Sequence, residues 1–180
     1  TQTLDDLELI VIDDGSTDRS RDVIESFAHH PKIKTVFQRN QGLTASNNVA
    51  LKVAAGKFIL RLDADDFLAP SALDDLVAAL EEHPEAGLAF GDWYVVDEVG
   101  DVVQHVRRHD FSREVTLLDQ PAHGACTMFR IECLRHLQGY DEGIGCQDGY
   151  ELWLRFIEEY GVTNVNKPLF YYRRHGENLT

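Results

Sequence analysis

Short apolar runs alternate along the chain with longer amphipathic stretches, and this alternation predicts strands and helices in turn. Leu7 to Ile12 (LELIVI) is a β-branched run of strand length, read as a buried parallel strand. It ends in Asp13-Asp14-Gly15-Ser16-Thr17-Asp18, turn chemistry that opens a helix with Ser16, Thr17 or Asp18 as N-cap. The helix reaches about Ala28 and Pro31 breaks it; Ile33 to Phe37 is the second strand. After a turn at Gln41-Gly42, Thr44 or Ser46 opens a helix that carries Val49, Ala50, Val53 and Ala54 on one face, with Gly56 placed as a C′ glycine. Phe58 to Leu62 is the third strand.

A further helix runs from near Pro70 to about Glu82, and strands follow at Leu88 to Val96 and Val102 to Val106 around the turn Glu98-Val99-Gly100-Asp101. Residues 107 to 123 show no period. A short helix is expected at about Ile131 to Leu137, a glycine-rich loop from Gly139 to Gly145, and a stronger helix at about Tyr150 to Tyr160. The stripe of that last helix is Leu152, Trp153, Phe156, Ile157 and Tyr160, with Trp153 and Phe156 read as core. The segment from Leu169 to Thr180 is aromatic and then basic. Strands alternating with helices over 180 residues indicate one α/β layered domain.

Composition narrows the partners more than the fold. The formal net charge of −14 leaves no basic footprint for phosphate neutralisation, so nucleic acid is excluded as a partner. Most of the acidity is solvated surface; part of it is available to hold divalent cations. Cys126, Cys133 and Cys146 lack CxxC spacing, which argues against a disulfide framework or a structural zinc site and fits free thiols in a reducing compartment. No apolar run approaches the ~18 residues of a membrane span, and no signal peptide is visible. The chain opens on Thr1-Gln2-Thr3 without a Met, which reads as a shortened start.

Ligands of open α/β sheets bind beyond the carboxyl ends of the strands. Two acidic clusters fall there: Asp13-Asp14, and Asp63-Ala64-Asp65-Asp66. Carboxylates so placed suit a hard cation bridging protein oxygens to substrate phosphates, although helix capping and turn formation are the plainer roles, above all for Asp18 and Asp66. An EF-hand is excluded because its sixth position would be Leu68 rather than glycine. A phosphatase of the haloacid-dehalogenase type is excluded because Phe67-Leu68 supplies no small hydroxyl residue after the acids.

In succession, Ile10-Val11-Ile12-Asp13-Asp14-Gly15-Ser16-Thr17-Asp18, Asn40-Gln41-Gly42, Arg61-Leu62-Asp63-Ala64-Asp65-Asp66, Gln147-Asp148-Gly149-Tyr150-Glu151-Leu152-Trp153-Leu154-Arg155 and Pro168-Leu169-Phe170-Tyr171-Tyr172-Arg173-Arg174-His175 resemble the ordered blocks of family 2 glycosyltransferases of the GT-A fold. The resemblance implies a Rossmann-like three-layer sandwich with a mixed central sheet, residues 1–66 binding nucleotide and 67–180 forming the acceptor and catalytic part. It implies that Asp13 and Asp14 lie against base and ribose, that Asp63 and Asp65 form the DxD, and that Asp65 binds Mn²⁺ or Mg²⁺ directly. His175 would approach metal and diphosphate, Arg173 and Arg174 would neutralise phosphates, and Asp148 would be the general base, with Glu151 as second choice. Glu151 also stands at i−4 from Arg155, a salt-bridge spacing.

The implied reaction is inverting transfer of a sugar from a nucleoside-diphosphate-sugar, a UDP-sugar favoured, to a hydroxyl of a saccharide or lipid-linked acceptor. The implied setting is cell-surface polysaccharide synthesis at the cytoplasmic face of a membrane. Peripheral membrane association and a homo-oligomer are further expectations. Trp93 is a candidate for the acceptor side or the core.

Three departures stand out. The family's first strand has no counterpart, Asn47 occupies a position where many members carry Arg, and Gln147 stands where a Glu is usual. A magnesium-dependent nucleotidyltransferase lacks its glycine- and basic-rich loop here. A non-catalytic nucleotide-sugar-binding domain is the other alternative.

Overall fold

A computed structural model describes residues 1–107, 124–144 and 149–176. Leu9–Asp13 (β1) and Ile33–Phe37 (β2) pair in parallel, joined by helix α1, Ser20–Phe27. Helix α2, Leu43–Val53, leads to β3, Phe58–Leu60, and β4, Phe67–Leu68, follows the acidic run. Then come α3 (Ala72–Glu82), β5 (Ala86–Val96), β6 (Val102–Val106), β7 (Met128–Arg130), α4 (Ile131–His136), α5 (Tyr150–Glu159) and β8 (Gly161–Arg173).

The larger sheet has the order β3-β7-β5-β8-β4. β5 is its axis. One edge of β5 pairs along its length with β8 in parallel; the other pairs antiparallel with β7 at Leu88 and Ala89 and with β6 from Trp93 to Val96. Both edges of β5 are therefore paired, and with helices packed on both of its faces its sequence reads as an almost unbroken apolar run.

On one face α3 presents Ala72, Leu76 and Leu80, all fully buried, against Ala89, Trp93, Val95 and Phe170. On the other, α2, α4 and α5 pack Leu51, Leu134, Leu152, Trp153 and Phe156 against Leu88, Phe90 and Phe129. Helices on both faces of a mixed sheet make the expected three-layer α/β sandwich. Burying a side chain such as Phe156, at 0% exposure, stabilises by roughly 1.5–3 kcal/mol. Trp93 at 8% exposure belongs to this core, and so does Trp153. Cys126 and Cys133 are buried free thiols; burial pushes Cys126 up to about 12, so it stays protonated.

Several local expectations need correction. The third strand ends at Leu60, because Arg61 onward turns to deliver the acids. Helix α2 buries Ala45 and Leu51 and leaves Val53 39% exposed, so its inner face is rotated from the expected one. It closes on Ala54 in extended backbone, and Gly56 is not a left-handed cap. The segment read as an aromatic and basic tail contains the carboxyl half of β8, a 13-residue strand. The 107–123 segment beyond Arg107, the loop end at Gly145 and residues 177–180 lie outside the described residues.

Among the described residues, β1 pairs with β2 alone and β3 with β7 alone, so no strand pair joins the two sheets. Their bridge is a side chain: Glu8, just before β1, accepts the backbone N–H groups of Ala55 (2.7 Å) and Gly56 (3.3 Å), which lead into β3, while Lys34 of β2 pairs with its other oxygen.

Candidate active site

Both acidic clusters stand beyond the carboxyl ends of their strands, as a ligand site in an open sheet requires. Asp13, 5% exposed, closes β1 by accepting the Ser16 N–H at 2.9 Å. The Ser16 hydroxyl and then its N–H hold this carboxyl below its usual range. Asp14 turns the other way. One of its oxygens accepts Gln38 Nε2 (2.7 Å) and the Gln41 N–H (2.9 Å); the other accepts the Gly42 N–H (2.8 Å). Burial pushes Asp14 up, but these three donors outweigh it and leave it lowered and ionised. Asp14 therefore fixes the loop that opens α2. Gly15 between these acids and Ser16 has φ +83°, and a Cβ there would lie 2.8 Å from the Asn40 nitrogen, so the turn admits glycine.

The second cluster lies between β3 and β4. Arg61, only 14% exposed, forks onto Asp63 with Nε 3.0 Å from one oxygen and Nη2 donating at 3.2 Å to the other. Asp65 faces solvent, and His175 Nε2 lies 2.9 Å from its Oδ2. These two residues are 110 positions apart in sequence and meet because β8 pairs antiparallel with β4, Tyr171 opposite Phe67. Asp66 points inward: its Oδ1 accepts the Arg173 N–H at 2.7 Å, and its Oδ2 is buried without a partner among the described residues. Burial, opposed by that N–H and reinforced by Asp65 and Asp63, raises Asp66 to about 6.

The Arg173 guanidinium donates to three backbone carbonyls, those of Asp65 (2.9 Å), Asp97 (3.3 Å) and Glu98 (2.6 Å). It ties the acidic turn to the β5–β6 hairpin as a strut, a contact set that sequence does not announce. Glu151 and Arg155 form the anticipated i,i+4 pair; Arg155 also donates to Leu137 O (2.6 Å) and Gly139 O (2.8 Å). Asp148 lies outside the described residues, immediately before Gly149, the N-cap of α5. Asn47 carries a buried Nδ2 without a partner among the described residues.

No trio of His, Cys, Asp and Glu that could cage a metal occurs among the described residues. A carboxylate and an imidazole in contact at the surface suit instead a cation that completes its shell from phosphate oxygens and water, as Mg²⁺ and Mn²⁺ do in phosphate sites. On this chemistry the residues fit the group.

The family model described as "Glycosyl transferase family 2" matches residues 1–138. The chain belongs to glycosyltransferase family 2. Over 99% of its length it is 28% identical to a chondroitin synthase of Escherichia coli, covering 26% of that protein. It is 27% identical, again over 99%, to a hyaluronan synthase of Pasteurella multocida, covering 18% of it. The chain thus spans about a quarter or less of these relatives. Among solved structures, S. aureus TarS superposes with a TM-score of 0.78 at 23% identity, over 96% of this chain and 53% of that one. The mannosyltransferase PcManGT from Pyrobaculum calidifontis, in complex with GDP-Man and Mn²⁺, gives a TM-score of 0.73 at 22% identity, over 96% and 49%. At such identities the likeness is one of fold, and it assigns the GT-A architecture to this family member.

Proposed function

We propose that this domain transfers a sugar, with inversion, from a nucleoside-diphosphate-sugar to a hydroxyl acceptor in polysaccharide synthesis. The contact of Asp65 with His175 beside the Arg61–Asp63 fork carries this reading: a carboxylate and an imidazole from distant parts of the chain converge where a diphosphate would lie. TarS has been solved with UDP and with UDP-GlcNAc, and PcManGT with GDP-Man and Mn²⁺, which supports a nucleotide-sugar donor here.

In this proposal Asp13 and the Asp14-braced loop receive base and ribose. Asp65 and His175 hold a divalent cation, which when bound supplies positive charge to the departing diphosphate. Asp63 orients ribose or water under its Arg61 fork, and Arg173 keeps the acidic turn in place while adding positive potential. Asp148 takes the proton of the acceptor hydroxyl in this proposal. No described helix is long and apolar enough to cross a membrane; contact with the inner face of a membrane and self-association remain part of the proposal.

A second reading has its own observation. Among the described residues the two sheets share no strand pair, which favours a domain that binds nucleotide-sugar without turning it over. Calorimetry with UDP and with GDP, with and without Mn²⁺, tests both. Cation-dependent binding is expected with one of them. Absence of heat with every nucleoside diphosphate sinks either reading, and binding without sugar release leaves only the second.

A further inference from the structure

The face of the large sheet beyond α5 carries a row of rings that the donor chemistry does not use. Phe67 of β4, Tyr171 of β8, Tyr94 of β5 and His105 of β6 stand directly opposite one another in the strand registers, forming one line across four strands. Phe67 and Tyr171 stack at 4.5 Å and 10°. Tyr94 then tilts, 38° from Tyr171 at 5.2 Å and 49° from His105 at 5.1 Å, so its ring face turns out of the stack. Trp93 and Phe170, the next residues along their strands, point to the opposite face and are buried under α3. The row itself remains half-buried, with His105 46% exposed.

Charged groups flank the row. Asp92, whose side chain is 3% exposed, lies 3.7 Å from His105 Nε2. At the other end Arg173 sits 5.7 Å over the Phe67 ring while holding the Asp65 carbonyl, so the row is continuous with the acidic turn.

We propose that this row is an acceptor subsite, with Tyr94 and Tyr171 receiving the apolar face of a pyranose of the acceptor saccharide and His105, with the Asp92 carboxylate behind its imidazole, addressing its hydroxyls. The inference rests on the glycosyltransferase reading for the word acceptor, but its ligand is tested directly. A half-buried aromatic surface flanked by a few polar groups is the composition of a small-molecule site. Rings with a polar tip offer apolar area and a hydrogen-bonding group together. Rings committed solely to cross-strand packing would need neither a buried carboxylate at one end nor a guanidinium shared with the acidic turn at the other.

Saturation-transfer NMR with chitotetraose and with a hyaluronan tetrasaccharide reads the site without turnover. The wild-type chain is expected to transfer saturation to at least one of them. Tyr94→Leu, Tyr171→Leu and the surface variant His105→Ala should each weaken the transfer by about fivefold, while Tyr94→Phe and Tyr171→Phe retain most of it, in keeping with ring contacts worth ~1 kcal/mol. UDP–Mn²⁺ binding, measured in parallel, should be unchanged in every variant. Full transfer in folded Leu variants and in His105→Ala overturns the proposal, as does failure of both tetrasaccharides to bind the wild type. Loss of UDP binding in the wild type with the saccharide pattern intact would instead remove the donor reading and leave this surface standing.

Discussion

At the scale of single residues, the two aspartates of the DxD differ in what they have left to offer. Asp63 is occupied by Arg61 on both oxygens, whereas among the described residues Asp65 meets His175 alone through its side chain and faces solvent. Asp65→Ala should therefore abolish the cation dependence of nucleotide binding, with a loss of about tenfold or more in affinity by calorimetry in Mn²⁺ and little change in EDTA. Asp148→Asn should leave that binding within about twofold while transfer falls by at least ~100-fold, because the amide cannot accept the hydroxyl proton; full turnover in this variant would discard the base assignment.

Asp66 carries a pH dependence of the opposite sign to that of Asp13 and Asp14, whose carboxyls are lowered. Its folded value, raised to about 6, lies above the unfolded value, so the native state binds more protons between about pH 4 and 6 and stability falls as pH rises through that window. The cost persists at pH 7. In metal-free buffer Asp66→Asn should stabilise the domain there by about 1 kcal/mol, allowing for solvent screening at a half-buried carboxyl, and by nothing near pH 4. Urea titrations at the two pH values measure the difference. The acidic residues were legible in sequence as a cluster beyond a strand. Their division of labour was not, since only the fold shows Arg61 on Asp63 and the Arg173 N–H on Asp66.

At the scale of elements, the legible parts were those with strong period or punctuation. β2, β6 and α5 fall where the sequence pattern places them: β2 and β6 as short β-branched runs paired with β1 and β5, α5 through a stripe that buries Leu152, Trp153 and Phe156. β8 was half hidden. Asn164, Asn166, Lys167 and Pro168 interrupt its apolar pattern, and the register against β5 shifts around Gly91 and Asp92 to absorb them. β4 and β7, two and three residues long, carry too little sequence to show a period at all.

The connection between α4 and α5 depends on another contact without sequence signature. Asn48 of α2 donates to Tyr140 O (2.9 Å) and Glu142 Oε1 (2.8 Å) and accepts the Tyr140 N–H (2.9 Å). Gly139, at φ +75°, lies so close that an added Cβ would stand 2.5 Å from Asn48 Oδ1. Gly139→Ala meets both a strained backbone and this clash, and should cost about 2–4 kcal/mol in chemical denaturation. An unchanged midpoint would show that the Asn48 clamp gives way freely.

At the scale of the whole molecule, the two acidic clusters are carried by different sheets, Asp13 and Asp14 by the carboxyl end of β1 and Asp63, Asp65 and Asp66 by the turn between β3 and β4. The β5-centred sheet packs buried helix residues against both faces; β1 and β2 lie in a two-stranded sheet whose strands are mostly half-exposed, with Leu9 50% exposed. Two-stranded pairs are marginal alone, and local stability follows buried apolar contact and protected hydrogen bonds. Amide exchange should therefore resolve two units, with β1 and β2 opening at lower free energy than β5 and β8. The proposed ligand spans the divide, since Asp13 ends β1 while Asp65 and His175 lie beside β4 and β8. On the proposed assignment a nucleoside diphosphate with Mn²⁺ would bind only where β1 and the acidic turn are both folded, so saturation at about 100 times Kd should raise the opening free energy of β1 and β2 by up to ~2.7 kcal/mol. β5, already at the global limit, should gain only with the whole domain. If saturating ligand slowed exchange in β5 and β8 and left β1 and β2 unchanged, the nucleotide would have to lie elsewhere than across the two acidic clusters, and the assignment of Asp13 and Asp14 to base and ribose would fall with it.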